Sequence, residues 1–183
     1  MKKLIIIGLF TFLVNLTYGQ DETRIRFVEV HGEYFGNLKV VQNELKVPVN
    51  QPGVGISINL GKKYLSSVFE YNYRVFDLKP IAGPRLKYHE ILFGARYFPM
   101  IPTFMIGKLA TRITAGALVG FDMEPNWRYL FFGGLFFSPI RSANGISFNF
   151  VYRPKEYTAS GYIFEPSYSL RLGIIIGPSF NKK

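Results

Sequence analysis

The sequence predicts an all-β fold, an eight-stranded antiparallel up-and-down transmembrane β-barrel, and three observations support this prediction. First, Ser167–Phe180 carries apolar residues at its even positions and, with one exception, small or polar residues at its odd positions. A period of two marks a β-strand with one apolar face, and this strand exceeds the roughly 5–6 residues usual in soluble proteins. Second, the chain is 48% apolar and 17% aromatic, yet beyond its N-terminal segment no apolar run reaches the roughly 20 residues of a transmembrane helix. Third, most of seven further candidate strands alternate in the same way.

The N-terminal segment has the three parts of a secretory signal peptide. Met1–Lys3 is positively charged, Leu4–Val14 is apolar, and Thr17 and Gly19 occupy the −3 and −1 positions of a cleavage site. The apolar run is too short to serve as a transmembrane anchor. We therefore predict a signal peptide at residues 1–19 and a mature barrel at residues 20–183.

Composition narrows the classes of partner. The chain has no cysteine, so an exported fold must close without disulfides. Its formal net charge is +10. A basic, aromatic-rich chain could bind nucleic acid, but export directs it away from nucleic acid. Phosphates of outer-membrane lipid or lipopolysaccharide are the expected anionic partners.

Eight strands are predicted along the chain, and most alternate without interruption. Ile25 and Phe27 break the phase at the start of the first strand, and the sixth strand is apolar on both faces, so its register stays open. Phe104–Ile106 either extends the fifth strand or forms a short extra piece. The predicted strands are Arg26–Phe35, Gly53–Leu60, Leu65–Phe76, Lys87–Phe98, Leu109–Asp122, Trp127–Ser138, Gly145–Arg153 and Ser167–Phe180.

The connections alternate between long and short. The longer ones, residues 36–52, 77–86 and 154–166, are predicted as loops on one side of the barrel, which they share with the short connection Asp122–Asn126. The shorter ones, at residues 62–63, 99–108 and 138–144, fall on the other side together with both termini. Bacterial barrels have this asymmetry, with longer loops outside the cell and shorter turns in the periplasm.

Charged residues in the middle of strands distinguish a membrane barrel from a soluble one. A soluble lipocalin-like barrel places apolar residues inside, whereas a membrane barrel places them outside and pairs its charges across the lumen. Aromatic residues near the strand ends fit interfacial girdles. The predicted lumen ion-pair network consists of Glu29, Glu33, Glu70, Arg74, Glu90, Arg96, Arg112, Arg153 and Arg171.

The sequence offers no catalytic, cofactor-binding or metal-binding pattern. Its two histidines, His31 and His89, have no serine two residues away as a lipid deacylase pattern would require, and without cysteine they give no metal-ligand spacing. Eight strands leave an interior only wide enough for side chains, which disfavours a pore.

Basic residues gather in the predicted periplasmic turns. They are expected to contact anionic lipid headgroups or, in the sharper hypothesis, to dock an acidic partner in a larger outer-membrane protein complex. These residues are Lys62, Lys63, Lys108, Arg141, Lys182 and Lys183.

Three features together carry a resemblance: the signal ending at Tyr18–Gln20, the strand end Gly94–Pro99, and a glycine-bearing final strand ending in Phe180. The chain resembles the small eight-stranded outer-membrane barrels typified by the OmpA transmembrane domain, and more narrowly the uncharacterised barrels of the Bacteroidota. It departs from their usual terminal aromatic signal because residues 181–183 follow Phe180 and Pro178 occupies an apolar position.

The resemblance implies a bacterial outer-membrane location. We expect a non-enzymatic barrel acting as a structural or accessory subunit of an outer-membrane assembly, with a lumen filled by side chains. The alternatives are a lipid-modifying outer-membrane enzyme and a small-solute pore.

Overall fold

A computed structural model describes residues 25–35, 39–42, 45–48, 52–61, 65–77, 85–98, 102–122, 126–139, 142, 144–158 and 161–177. The predicted signal peptide lies outside this range. None of the described residues forms a helix long and apolar enough to cross a membrane.

Thirteen strands make up the described structure. In chain order they are β1 (Ile25–Phe35), β2 (Lys39–Gln42), β3 (Leu45–Pro48), β4 (Pro52–Gly61), β5 (Leu65–Asp77), β6 (Arg85–Tyr97), β7 (Phe104–Ile106), β8 (Leu109–Asp122), β9 (Trp127–Pro139), β10 (Gly145–Arg153), β11 (Glu156–Tyr157), β12 (Ile163–Phe164) and β13 (Ser167–Ile176).

Eight long strands close into a barrel: β1, β4, β5, β6, β8, β9, β10 and β13. Each pairs antiparallel with its neighbours, and the ring closes where β1 pairs with β13, from Val28 opposite Ile176 to Phe35 opposite Ser169. The pairing of β6 with β8 completes the circuit. Closure bonds the strand edges within the protein. The predicted fold class, an eight-stranded antiparallel barrel, is therefore confirmed.

The barrel is apolar outside and polar inside. In β13 the buried positions include Ser169 and Arg171, while the alternating outward positions include Ile174, which is 61% exposed. Phe150 on β10 is 74% exposed. A soluble barrel would have the opposite arrangement, so the exposed apolar side chains indicate that the outer wall is suited to contact with lipid.

The two ends of the barrel differ. We call one the loop end, where β5 and β8 finish at Asp77 and Asp122, and the other the turn end, where β4 finishes at Gly61. Strand β7 lies at the turn end and pairs with β8 on the same edge that β6 uses, so it continues the line of β6 after an interruption. The hairpin between β7 and β8 turns at Gly107, whose φ of 58° suits glycine.

The loop end is closed by a second sheet, which corrects the prediction that residues 36–52 and 154–166 are simple loops. Strands β2, β3, β11 and β12 form a four-stranded sheet in the order β11-β12-β2-β3, called here the cap sheet. It forms because its inner face is apolar: Val40 is fully buried, and Phe164 packs on Phe76 at 4.8 Å and on Tyr88 at 5.6 Å between ring centroids.

The turn end is filled by three phenylalanines and one isoleucine, a cluster called here the aromatic plug. Its members, all nearly inaccessible to solvent, are Phe27, Phe98, Phe136 and Ile175. The ring of Phe98 lies 4.6 Å from that of Phe27 and 5.0 Å from that of Phe136. Phe27 lies on the inward face of β1 although its side chain is apolar. The predicted irregularity at the start of the strand coincides with a shift of the register against β4 between Ile25 and Phe27.

Candidate functional site: the lumen ion network

Among the described residues, the interior of the barrel holds buried acids and buried arginines in equal number. Inward positions of the strands supply most of them, because every second residue of a strand faces the same side. Six acids and six arginines are nearly inaccessible to solvent, so their formal charges cancel. They are Glu29, Glu33, Glu70, Glu90, Asp122, Glu156, Arg74, Arg96, Arg112, Arg128, Arg153 and Arg171.

Glu33 on β1 is the centre of the network. Arg153 Nε donates to its Oε1 at 3.2 Å, and Arg171 Nη2 donates to its Oε2 at 3.0 Å. The hydroxyl of Ser169 donates to Oε1 at 2.6 Å. Three donors on two neighbouring strands, β10 and β13, therefore neutralise and fix one carboxylate, which makes its burial tolerable.

Glu90 on β6 extends the network across the lumen. Arg153 Nη1 donates to its Oε2 at 3.2 Å, and Arg74 of the adjacent strand β5 pairs with its Oε1. Arg153 thus links Glu33 and Glu90, which come from separate strands. A guanidinium suits this position because it offers five donors in a fixed plane.

Glu70 on β5 connects the network to a histidine. Arg171 Nη1 donates to Glu70 Oε2 at 2.9 Å, and Asn72 Nδ2 donates to Oε1 at 2.8 Å. The oxygen of the same Asn72 amide lies 2.9 Å from His31 Nε2. His31 Nε2 therefore donates to the Asn72 oxygen, and the Asn72 nitrogen in turn donates to Glu70.

Glu29 lies nearer the plug and binds Arg96 and Ser147. The Arg96 guanidinium also stands over the rings of Phe27 at 5.3 Å and Phe132 at 5.2 Å, which are cation–π distances. Gly173 opposite leaves the space for this pair, because a Cβ there would overlap the Glu29 carboxylate and the Ser147 hydroxyl.

Arg112 lies at the turn end, apart from the glutamates with which it was predicted to form one network. Its Nη1 donates to Ser138 Oγ at 2.5 Å, and its guanidinium stands 5.7 Å from the Phe136 ring centroid. The structure brings the other eight predicted residues together in ion pairs or hydrogen bonds within the lumen.

Three further members were not predicted from the sequence: Asp122, Arg128 and Glu156. Arg128 pairs with Asp122, and its Nη1 lies 3.2 Å from Glu156 Oε2. Asp122 and Arg128 flank a predicted turn, and strand β9 is apolar on both faces, so its inward side was not evident. The inward residues of β9, Arg128, Leu130, Phe132, Phe136 and Ser138, now fix its register.

Glu156 attaches the cap sheet to the barrel. It belongs to β11, yet its Oε2 lies 3.2 Å from Arg74 Nη2 as well as from Arg128, and its Oε1 lies 3.8 Å from Arg153 Nη1. A single carboxylate from the cap therefore meets three arginines of the wall. Its place in a predicted loop is the reason that alternation could not reveal it.

We predict that Glu156→Gln loosens the cap sheet. The amide keeps the shape of the side chain but removes the charge that three arginines share. Charged hydrogen bonds contribute about 1.5–3 kcal/mol, so amide hydrogens of β2, β11 and β12 should exchange roughly ten- to a hundredfold faster in hydrogen–deuterium exchange mass spectrometry. Glu165→Gln, beside β12 and only half-buried, is the matched control; equal exchange in both variants would contradict the role of Glu156.

The two histidines are separated by the barrel wall. His31 is buried in the lumen, whereas His89 faces outward, where its Nδ1 lies 2.7 Å from the hydroxyl of Tyr71. Within the described ranges, no three metal-ligating side chains converge. Of the basic turn residues, Lys108 lies exposed beside Gly107, and Lys62, Lys63, Arg141, Lys182 and Lys183 lie outside the described residues.

No protein-family model and no curated protein matches this chain. Among solved structures, Neisserial surface protein A is similar over 86% of this chain and 100% of its own, with a TM-score of 0.57 and 10% identity. Ail, the attachment invasion locus protein of Yersinia pestis, solved with the heparin analogue sucrose octasulfate, covers 84% of this chain and 100% of its own, with a TM-score of 0.41 and 12% identity. The fold of this chain is thus that of eight-stranded outer-membrane barrels.

Proposed function

We propose that this chain is a non-enzymatic barrel of the bacterial outer membrane, exported by a cleaved signal peptide, and that it serves as a structural or accessory subunit of an outer-membrane assembly. The observation that carries the proposal is the filled lumen. Its charges balance, the cap sheet covers one end and the aromatic plug fills the other. Because the described residues fill the lumen, we expect this barrel to act through its surfaces.

The outward wall supports a membrane location. Tyrosines near the loop end face outward on several strands, and Tyr152 and Tyr168 contact each other at 5.2 Å between ring centroids. Below them the outward positions are aliphatic or phenylalanine, such as Phe148, Leu172 and Ile174. A band of tyrosine bordering an apolar belt matches an interfacial girdle.

The turn end supports an accessory role, because an apolar hairpin is exposed there. Phe104, Met105, Ile106 and Leu109 are each between 43% and 54% exposed, and Lys108 lies at the tip. Phe104, Met105 and Ile106 are consecutive and all exposed, so side chains of β7 are exposed on both faces of the hairpin. Lipid on one side does not account for all of them. Apolar residues beside a basic tip suit an acidic protein partner.

Purification from outer membranes in mild detergent tests the accessory role. We expect a protein partner at near-equal amounts, and we expect Met105→Asp combined with Lys108→Glu to release it. Lys155→Glu, an exposed lysine at the loop end, is the control and should retain the partner. A barrel that purifies alone, or a partner kept by the hairpin variant, would contradict the proposal.

A further inference from the structure

We propose that Lys87 and His89, positioned by Tyr71 and Tyr73 on the outward face of β5 and β6, form a binding site for the phosphorylated headgroup of a lipid in the leaflet at the loop end. This inference rests on the proposed membrane location. It assigns a ligand to one part of the wall, which the proposed accessory role does not require.

The site differs in chemistry from the wall around it. Most outward positions of neighbouring β4 and β5 are apolar or aromatic, among them Ile56, Ile58 and Phe69. Lys87 and His89 face outward on β6 instead, two residues apart on one side of the strand and thus about 7 Å from each other. An ammonium in an apolar wall is costly unless it meets an anion.

Tyr71 and Tyr73 hold the imidazole in place. The Tyr71 hydroxyl lies 2.7 Å from His89 Nδ1, and the Tyr73 ring centroid lies 4.9 Å from that of His89. When Tyr71 donates to Nδ1, the ring carries its proton on Nε2. Nε2 is then a fixed donor available to a phosphate oxygen, beside the mobile ammonium of Lys87.

The described acids of β5 and β6 face away from Lys87. Lys87 stands opposite Val75 in the register of these two strands. Glu70 and Glu90 of the same strands are buried in the lumen. An anion in the lipid layer can therefore approach Lys87 from outside the barrel wall without meeting these two carboxylates.

The position of the site along the barrel axis favours a lipid headgroup as its ligand. Tyr73 and His89 are paired across β5 and β6 at the level of the outward tyrosines, and Lys87 is the next outward residue toward the loop end. A girdle of tyrosine marks the boundary between acyl chains and headgroups. Lys87 thus reaches the headgroup layer, where lipid phosphates lie, while His89 and the tyrosines border the chains.

Lipid retention by the purified barrel tests the site. Native mass spectrometry would measure the apparent affinity for diphosphoryl lipid A, with phosphatidylcholine as the zwitterionic comparison. We expect Lys87→Gln combined with His89→Phe to weaken lipid A binding about tenfold, the equivalent of one charge-assisted hydrogen bond, and to change phosphatidylcholine binding by less than about twofold. Lys39→Gln, which changes an exposed lysine of the cap sheet, should bind lipid A like the unaltered protein.

A double-mutant cycle tests the positioning role of Tyr71. Tyr71→Phe should weaken lipid A binding in the unaltered protein and have no further effect in His89→Phe, because it acts through that ring. Folding of each variant is checked by the electrophoretic shift between unheated and heated samples.

Three results would overturn the site: unchanged lipid A affinity in the double variant, an equal loss in Lys39→Gln, or displacement of lipid A by inorganic phosphate at matched concentration. The last would indicate a site for free phosphate. A barrel that binds lipid A through these residues but purifies without a protein partner would contradict only the accessory role.

Discussion

Replacing Arg153 with methionine is expected to lower the free energy of unfolding by about 3–5 kcal/mol, the effect of removing one partner from a buried ion pair. Arg153 is 1% exposed and meets Glu33, Glu90 and Glu156. Methionine fills similar volume but leaves these carboxylates with fewer donors, and each loses part of the compensation for its burial.

Urea-induced unfolding in detergent micelles, followed by tryptophan fluorescence or circular dichroism, measures this change. Lys155→Met, two residues along the chain and exposed, is the matched control and should change stability by less than about 0.5 kcal/mol. Equal stability of the two variants would show that the network is not important for holding the barrel together.

Replacing Gly134 with alanine is expected to destabilise the barrel by at least about 2 kcal/mol, as overpacking does in a filled core. A Cβ at this inward position would overlap the backbone of Phe148 and Asn149 on β10. Backbone atoms cannot rotate away as side-chain ends can, so the two strands have to separate locally.

The neighbouring Gly133 provides a matched control for this effect. It faces outward on the same strand, and a Cβ there would meet only the Thr114 carbonyl oxygen, at an ordinary 3.8 Å. Gly133→Ala should fold with unchanged or slightly raised stability. A loss as large as that of Gly134→Ala would mean that the cost comes from backbone freedom and not from close strand approach.

The strands could be predicted from the sequence because lipid outside and charge inside impose a strict period of two. Seven of the eight predicted strands agree with the structure within about two residues at each end. The last, predicted to Phe180, is described only to Ile176, with residues 178–183 outside the described range. Most of the lumen charges were also predictable, since Glu29, Glu33 and Arg171 lie on the polar face of strands whose other face is apolar.

What escaped prediction lies where the period of two carries no information. Strand β9 is apolar on both faces because its inward Leu130, Phe132 and Phe136 fill the lumen core and the plug, and Arg128 was therefore overlooked. Glu156 belongs to a connection, and its role depends on how the cap sheet folds over the mouth. Contacts between segments that are distant in sequence place Arg128 and Glu156. The alternation of a strand shows only which of its own residues share a face.

The filled lumen bears on one alternative function, the small-solute pore. A solute path would have to pass both Glu156 and the rings of Phe27, Phe98 and Phe136.

Conductance across a planar lipid bilayer tests the filled lumen most directly. The purified barrel, inserted at known density in 1 M salt, is expected to give no current steps above those of the bare bilayer across the voltage range that the bilayer tolerates. Stable, reproducible unitary steps that scale with salt concentration would contradict the account and make the protein a small-solute pore.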